Sequence, residues 1–473
     1  MHGWIGVVVA ILSVGGLLAT GDAAAGVQDR GQAAERVERA IDLMGGPALA
    51  SVSRVRLDMM TQWQRTGYRD VPGSDRPSFE PHTDVRDYTI PAWRNTRDFG
   101  ARKIVNVVRD SVAATSFGDG FQPQSVAYVD ERDELFLYTP DRLMLALRAA
   151  PDLRTEGDTV VAGERFRRVR GTLPGGLDAV VAFHAGTGLP AMLAFRQGHP
   201  NDFGLVPFGA MRVDVWYANW RTFGDISIPT QWDVRRAGAP YKRMTVQRAD
   251  FDPEFAADSF AIAPEVRTAF LAARGPMHDR PIDSVTVVAP GVVAVHGFGF
   301  PAGAVRVGEA WVLLQAGHAP LSLRRASDAL AGHGVDRISA AVVARASAGN
   351  GGASALVEQG VPVYTSEAAA PFLDVVLEGA GVAPGAARVI RSPGTVAEAG
   401  ELRLEPLDLP DAPGSLVVWW PERGWLYAPD AATPLDVRIV LDHARDRGWR
   451  VDALGTARRL WAPVEEGASD GTG

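Results

Sequence analysis

The sequence predicts an α+β protein of two domains, a curved antiparallel β half-barrel with helices followed by a layered αββα sandwich. Three observations carry this expectation. At 473 residues the chain is too long for a single core. From about residue 55 to residue 260 the apolar pattern keeps the two-residue period of strands, broken by short turns rich in Gly and Pro. Beyond residue 285, strands in hairpins give way to strands alternating with helices, twice over, which is the order of sheets stacked between helix layers.

Taken in order, residues 4–19 form an apolar run, short against the roughly 18 or more residues of a membrane span. Ala23 and Ala25 follow in a small-x-small pattern. This reads as an export signal over residues 1–25, cleaved near Ala25, with an uncleaved anchor as the alternative. The protein is therefore expected to be periplasmic or secreted. Residues 32–44 carry Val37, Ile41 and Met44 at helical spacing and stop at Gly45-Gly46. Val55, Leu57 and Met59 then alternate with Arg56 and Asp58, as in a half-buried strand. Residues 66–82 read as a mobile loop. Strands are expected at 87–94, 103–117, 125–138, 159–173, 177–184, 192–197, 211–220, 226–235 and 243–251. Turns such as Pro174-Gly175-Gly176 separate them. One helix interrupts, with Pro140 at its first position. Residues 31–262 thus make an antiparallel meander curved around one helix or two.

The pattern lapses over 263–284, the expected linker. From 285 to 464 strands are expected at 285–288, 292–296, 304–307, 310–315, 338–343 and 361–364, with helices at 323–333, 354–359 and 368–379. Strands return at 401–407, 415–420, 424–427 and 450–454, with a helix over 437–447 that stops at Gly448. Residues 465–473 are a polar tail.

Composition excludes several functions. Lys and Arg total 48 against 56 Asp and Glu, a net charge of −8. That is the wrong sign for a nucleic-acid partner. The chain has no cysteine, which removes disulfides, thiolate zinc sites, iron–sulfur clusters and Cys nucleophiles. Any metal would need carboxylates and some of the nine histidines.

Several stretches of the second region carry a resemblance. Val288-Ala289-Pro290-Gly291-Val292 opens it, and Trp311-Val312-Leu313-Leu314-Gln315-Ala316-Gly317 continues it. Residues 344–353 align without gaps on a Thr-His-x-His-x-Asp-His-x-Gly-Gly loop. Asp411-Ala412-Pro413-Gly414-Ser415 fits a His-Thr-Pro-Gly-Ser segment, and Trp425-Leu426-Tyr427-Ala428-Pro429-Asp430 fits a strand ending in Gly-Asp. In this order and spacing they resemble the metallo-β-lactamase fold of hydrolases. The first region, through Leu137-Tyr138-Thr139-Pro140-Asp141-Arg142-Leu143 and Gly186-Thr187-Gly188-Leu189-Pro190, is similar to the half-barrel of bacterial lipoprotein carriers.

The resemblance implies a site for one or two metal ions that convert water to hydroxide. Its ligand positions fall here on Arg345, Ser347, Gly349 and Asn350, then on Asp411 and Ala457; only Asp430 matches. A guanidinium cannot deprotonate and repels a dication, so Arg345 opposes a metal at that position. No catalytic or cofactor-binding residue is assigned, and no cofactor is expected. Asp411 and Asp430 remain candidates for holding a hard cation through oxygen. The plainer reading of Asp430 is a turn or helix-capping residue ahead of Thr433-Pro434, and an Arg345–Asp430 ion pair would stand in for the metal. Ser347 lacks the Gly-x-Ser-x-Gly setting of a nucleophile. Gly349-Asn350-Gly351-Gly352 would cradle a phosphate on backbone amides but lacks the P-loop lysine. His318 and His333 read as rim or turn residues, and Trp419, Trp420 and Trp425 as core.

The expectation is an exported pseudo-hydrolase that binds a lipid, acylated or polymeric envelope ligand, or an envelope protein partner. The apolar concave face of the half-barrel would offer the ligand site. The alternative is a divergent hydrolase using zinc or another divalent metal.

Overall fold

The computed structural model describes residues 30–64, 77–198, 209–236, 238–256, 258–273, 282–296, 302–317, 319–344, 350–390, 394–395, 402–410, 412–456 and 462–463. The expected signal segment and tail lie outside them. Helix α1 (Arg30–Met44) buries Ala33, Val37, Ala40, Ile41 and Met44 along one stripe. It stops at Gly45, whose φ of 132° suits only glycine. The short α2 (Pro47–Ser51) leads into β1 (Arg54–Trp63), β2 (Ser78–Asp87), β3 (Ala92–Asp98), β4 (Lys103–Arg109), β5 (Val112–Ser116) and β6 (Phe121–Pro123). Two helices follow, α3 (Ala127–Tyr138) and α4 (Pro140–Arg148). The sheet resumes with β7 (Arg154–Val161), β8 (Glu164–Leu173), β9 (Leu177–His184) and β10 (Pro190–Gln197). It finishes with β11 (Met211–Phe223), β12 (Ile226–Arg236) and β13 (Ala239–Phe251).

These thirteen strands form one antiparallel sheet in the order β6 to β1, then β13 down to β7. Val55 of β1 lies opposite Phe251 of β13, so the first and last strands are neighbours. Helices α1, α3 and α4 share one apolar core with the sheet, through residues such as Met44, Tyr138, Leu143, Phe195 and Trp232.

Helix α5 (Pro264–Ala273) follows, with Val266 and Phe270 buried. Beyond it come β14 (Ser284–Ala289), β15 (Val292–His296), β16 (Ala302–Val307), β17 (Ala310–Leu314), α6 (Pro320–Ala331), β18 (Ile338–Val343), α7 (Ala353–Glu358), β19 (Val363–Ser366), α8 (Ala370–Gly379) and β20 (Arg388–Ile390). The seven strands pair in sequence order, antiparallel through β17 and parallel from β17 to β20. A third sheet holds β21 (Gly394–Thr395), β22 (Arg403–Leu409), β23 (Ala412–Trp420), β24 (Trp425–Ala428), β25 (Ala453–Thr456) and β26 (Ala462–Pro463), with α9 (Pro434–Asp446) between β24 and β25.

Three cores show how these layers stack. Val312, Leu314 and Val342 of the second sheet pack with Leu404, Leu416 and Trp420 of the third. The outer face of the second sheet packs on Leu323, Leu356 and Phe372 of α6, α7 and α8. The outer face of the third packs on Val440 and Ala444 of α9. The order helix, sheet, sheet, helix is the αββα arrangement that the alternation of elements predicts.

Five local expectations are corrected. Residues 125–138, expected as a strand, hold the helix α3, which buries Val129, Arg132, Glu134, Leu135 and Tyr138. Two of those five are charged, so the helical period is hidden from a reading by hydrophobicity. Residues 103–117 are two strands, turned at Asp110 with φ 57°. Residues 159–173 are likewise split, at Ala162 and Gly163, both at positive φ, the geometry of a two-residue hairpin turn. Residues 78–82, expected as loop, open β2. The stretch expected as linker contains the helix α5, held down by Phe270.

Candidate functional site

Two places merit the description of a site. The first is the carboxyl end of β18, next to the stretch that the sequence aligns on a metal-binding motif. Arg345, Ser347, Gly349, Asp411 and Ala457 lie outside the described residues, as does His318. Asn350 is buried. Gly352 packs so closely on the loop after β17 that a methyl group there would meet the Ala316 carbonyl oxygen. Its amide donates to the Gly317 carbonyl at 3.0 Å, which takes one donor away from a phosphate cradle there, the reading that the missing P-loop lysine already disfavours. The helix behind that cradle, α7, has only six residues. Gln315 follows β17 in the left-handed region at φ 70°, buried, with neither side-chain amide atom bonded to a described residue.

Asp430 is buried, and its Oδ2 accepts from the Ser415 hydroxyl at 2.6 Å. It does not cap α9. That role falls to Thr433, whose hydroxyl accepts from the Asp436 amide at 3.2 Å, while Asp436 accepts from the Thr433 amide at 2.9 Å. Ser415–Asp430 instead ties β23 to the end of β24 by a charge-assisted hydrogen bond. Among the described residues no three His, Asp or Glu side chains stand close enough to hold a metal. The donors that the sequence supplies, a guanidinium, a hydroxyl and an amide, do not fit the metal that the resemblance implies. His333 is exposed in the turn after α6. Trp419 stacks on Trp449 with centroids 4.8 Å apart, and Trp420 enters the core between the two sheets, so both are packing residues.

The second place is a cavity of about 370 Å3 between α3 and the helix-covered face of the first sheet. Strand register builds it. Leu57, Met59 and Thr61 of β1 lie opposite Asp84, His82 and Glu80 of β2, so those three charged side chains point inward with the apolar ones. Asp84 then lies opposite Asn95, and Asn95 opposite Asn106. Asn95 donates to Asp84 at 2.8 Å, and the Thr115 hydroxyl to Asn106 at 2.8 Å. The result is a polar row across four strands on the inner face.

Helix α3 supplies the opposite wall. Both Glu134 oxygens accept from the Arg236 guanidinium, at 2.9 and 2.8 Å, and Oε2 also accepts from the Tyr138 hydroxyl at 3.1 Å, with the Glu134 and Arg236 side chains buried. Arg236 also lies over the Tyr241 ring, 3.8 Å from its centroid. Beside this pair, the Lys242 ammonium sits 3.7 Å from Glu131, within 5.2 Å of the Trp63 ring centroid and 5.7 Å of those of Tyr138 and Tyr241. Trp63 is fixed by donation from its indole nitrogen to Glu80 at 3.0 Å.

Electrostatics divide the carboxylates. Burial alone would raise Asp84, but the charges of His82 and Arg86 and bonds from Asn95 and Arg86 outweigh it and hold the carboxyl low. Glu131 is raised: burial pushes it up, Glu134 and Asp84 add to that, and Lys242 opposes without cancelling it.

None of these cavity residues was among the candidates that the sequence offers. The available signal was the alternation in β2, where charged residues at 80, 82, 84 and 86 share one face. Alternating charge reads as the wet side of a strand, and here the register turns it inward.

No protein-family model matches the chain, and no curated protein is significantly similar to it. Solved structures to which it is similar include an inverting sec-alkylsulfatase from a Pseudomonas species, at 17% identity and TM-score 0.31, covering 38% of this chain and 39% of that one. A metallo-β-lactamase from Pseudomonas aeruginosa, solved in its mono-zinc form, is 18% identical, with TM-score 0.31 and coverage of 39% and 91%. An outer-membrane lipoprotein-sorting domain from Vibrio parahaemolyticus is 8% identical, with TM-score 0.31 and coverage of 49% and 97%. The chain thus spans well under half of the alkylsulfatase's length and nearly all of the other two.

Proposed function

We propose that this is an exported binding protein. In this reading the first sheet serves as a half-barrel that holds an envelope ligand, and the second region keeps a hydrolase-like scaffold without metal chemistry. The observation that carries it is the cavity under α3. Its size lies in the range of small-molecule sites, and a few placed polar groups converge in it among aromatic rings. Inward-facing His82, Asp84 and Glu131 favour a polar-headed or polymeric ligand over the bare acyl chain that an apolar concave face would suit. Export is supported by the apolar run and small-x-small pattern of residues 4–25.

The absence of hydrolysis is supported by Arg345 at a ligand position and by the bonding of Asp430 to Ser415. Native mass spectrometry of the full chain, released gently from its producing cells, is expected to show a bound small molecule that organic extraction removes. Trp63→Ala is expected to lose most of it, since that ring forms part of the wall. A chain that carries nothing and binds no amphiphile or sugar overturns the binding reading. Stoichiometric zinc, iron or manganese, whose chelation abolishes a hydrolase activity, overturns the non-metal part.

A further inference from the structure

The cavity can be read more finely at Lys242 and Glu131, which rests on its being a ligand site. The Lys242 side chain is 2% exposed, yet its three N–H donors make no hydrogen bond to any described residue; the Glu131 carboxylate stands at 3.7 Å, beyond hydrogen-bond reach. Glu131 keeps 26% of its side chain exposed and likewise accepts no hydrogen bond from a described residue. Both face the same cavity. Asn106, also lining it and 1% exposed, has a side-chain amide nitrogen without a partner among the described residues. Of the other charges that line it, Arg236 is engaged by Glu134, Arg97 by Glu80 at 3.2 Å, and Asp84 by Arg86 at 3.0 Å.

Three kinds of ligand group can meet the Lys242–Glu131 pair. An anion satisfies the ammonium but is repelled by the carboxylate beside it. A cationic amine satisfies the carboxylate and is repelled by the ammonium. A hydroxyl both accepts and donates, so a single oxygen between the two takes a hydrogen bond from Lys242 and gives one to Glu131 without net charge. Around it, the Trp63 and Tyr241 rings, edge to face at 5.7 Å, offer the apolar wall that the C–H face of a ring of carbons packs on. We propose that the cavity takes an uncharged, hydroxyl-rich ligand, a sugar or polyol unit, with one hydroxyl seated between Lys242 and Glu131.

The test is calorimetric titration of the full chain with three probe classes. These are neutral sugars (glucose, N-acetylglucosamine, maltose and trehalose), laurate and dodecylamine, each measured at low and at high salt. Wild type, Lys242→Met and Glu131→Gln are compared, with circular dichroism as the control for folding. A neutral sugar is expected to bind one to one with an affinity insensitive to salt. Both substitutions are expected to weaken it, Lys242→Met on the order of tenfold or more, the size of one hydrogen bond to a charged group. If Lys242→Met fails to fold, Glu131→Gln, which keeps size and shape, decides alone.

The variants separate the chemistries by sign. An anionic ligand binds tighter to Glu131→Gln, and a cationic one tighter to Lys242→Met. Either pattern with laurate or dodecylamine, and no sugar bound, overturns the inference while leaving the cavity a binding site. If no probe of any class binds, the binding reading itself falls with it.

Discussion

Asp84 and Glu131 show how two carboxyl groups in one cavity acquire opposite dependences on pH. Asp84 is depressed, so its contribution to stability is present above the ordinary value of 3.8 and is lost as pH falls through its lower folded value. Glu131 is raised, so its contribution is complete below the ordinary value of 4.5 and is lost as pH rises through its higher folded value. Glu131→Gln removes the second effect and leaves the first. The urea midpoint of this variant is therefore expected to gain on wild type as pH rises from about 4 to about 7. A difference that stays flat across that range would show that Glu131 titrates normally. The Arg236–Glu134 pair nearby is of another kind: breaking one partner of such a buried pair typically costs about 3–5 kcal/mol, because the other charge is stranded. It therefore serves as framework, while Lys242 and Glu131 are left to meet a ligand.

Among the elements, those with a plain period were legible in the sequence and those built on charge were not. The stripe of Val37, Ile41 and Met44 announces α1, and the alternation of Val55, Leu57 and Met59 announces β1. The alternation of strands and helices past residue 285 announces the layered sandwich. Helix α3 escapes, because Arg132 and Glu134 occupy buried positions where a hydrophobic period would need apolar residues. Arg132 is accommodated by the carbonyl of Asp110 at 2.8 Å, and Glu134 by Arg236. Both partners are far away in sequence, so no local pattern reveals them. The same cause hid the cavity, whose inward charges become visible only when β2 is set in register with β1. At α9 the local signal was present but credited to Asp430, six positions ahead of Asp436. Thr433→Ala is expected to destabilise by about 1 kcal/mol, the usual worth of an N-cap hydroxyl, read as a lower urea midpoint with unchanged slope; Asp430→Asn should instead loosen the tie between β23 and β24. No loss in Thr433→Ala would return the capping role to Asp430.

For the molecule as a whole, the first sheet and the layered sandwich meet at a small seam. The Ala210 amide donates to the Gly379 carbonyl at 2.7 Å, and Arg196 reaches Glu378 at 3.3 Å. Gly209, at φ 93°, packs directly against the Gly379 carbonyl, where a side chain would collide. Gly209→Ala is accordingly expected to open the seam. Hydrogen exchange followed by mass spectrometry would report it as lost protection over 209–215 and 370–380, with the cavity peptides unchanged. Protection that stays as in wild type would mean that the seam bends to admit the methyl group.

The neighbouring of β1 and β13 has a consequence in time. The Ser53 amide bonds the Asp252 carboxylate 199 positions away, and the register of the central pair runs from Val55–Phe251 to Trp63–Lys242. Contacts of such long range close late and slow the search for the native pairing. A nascent chain shorter than about 250 residues cannot assemble the middle of this sheet, and until β13 arrives β1 has an unpaired edge. The cavity, lined by Trp63 of β1 and by Lys242 and Met244 of β13, can therefore exist only once the whole sheet has been made.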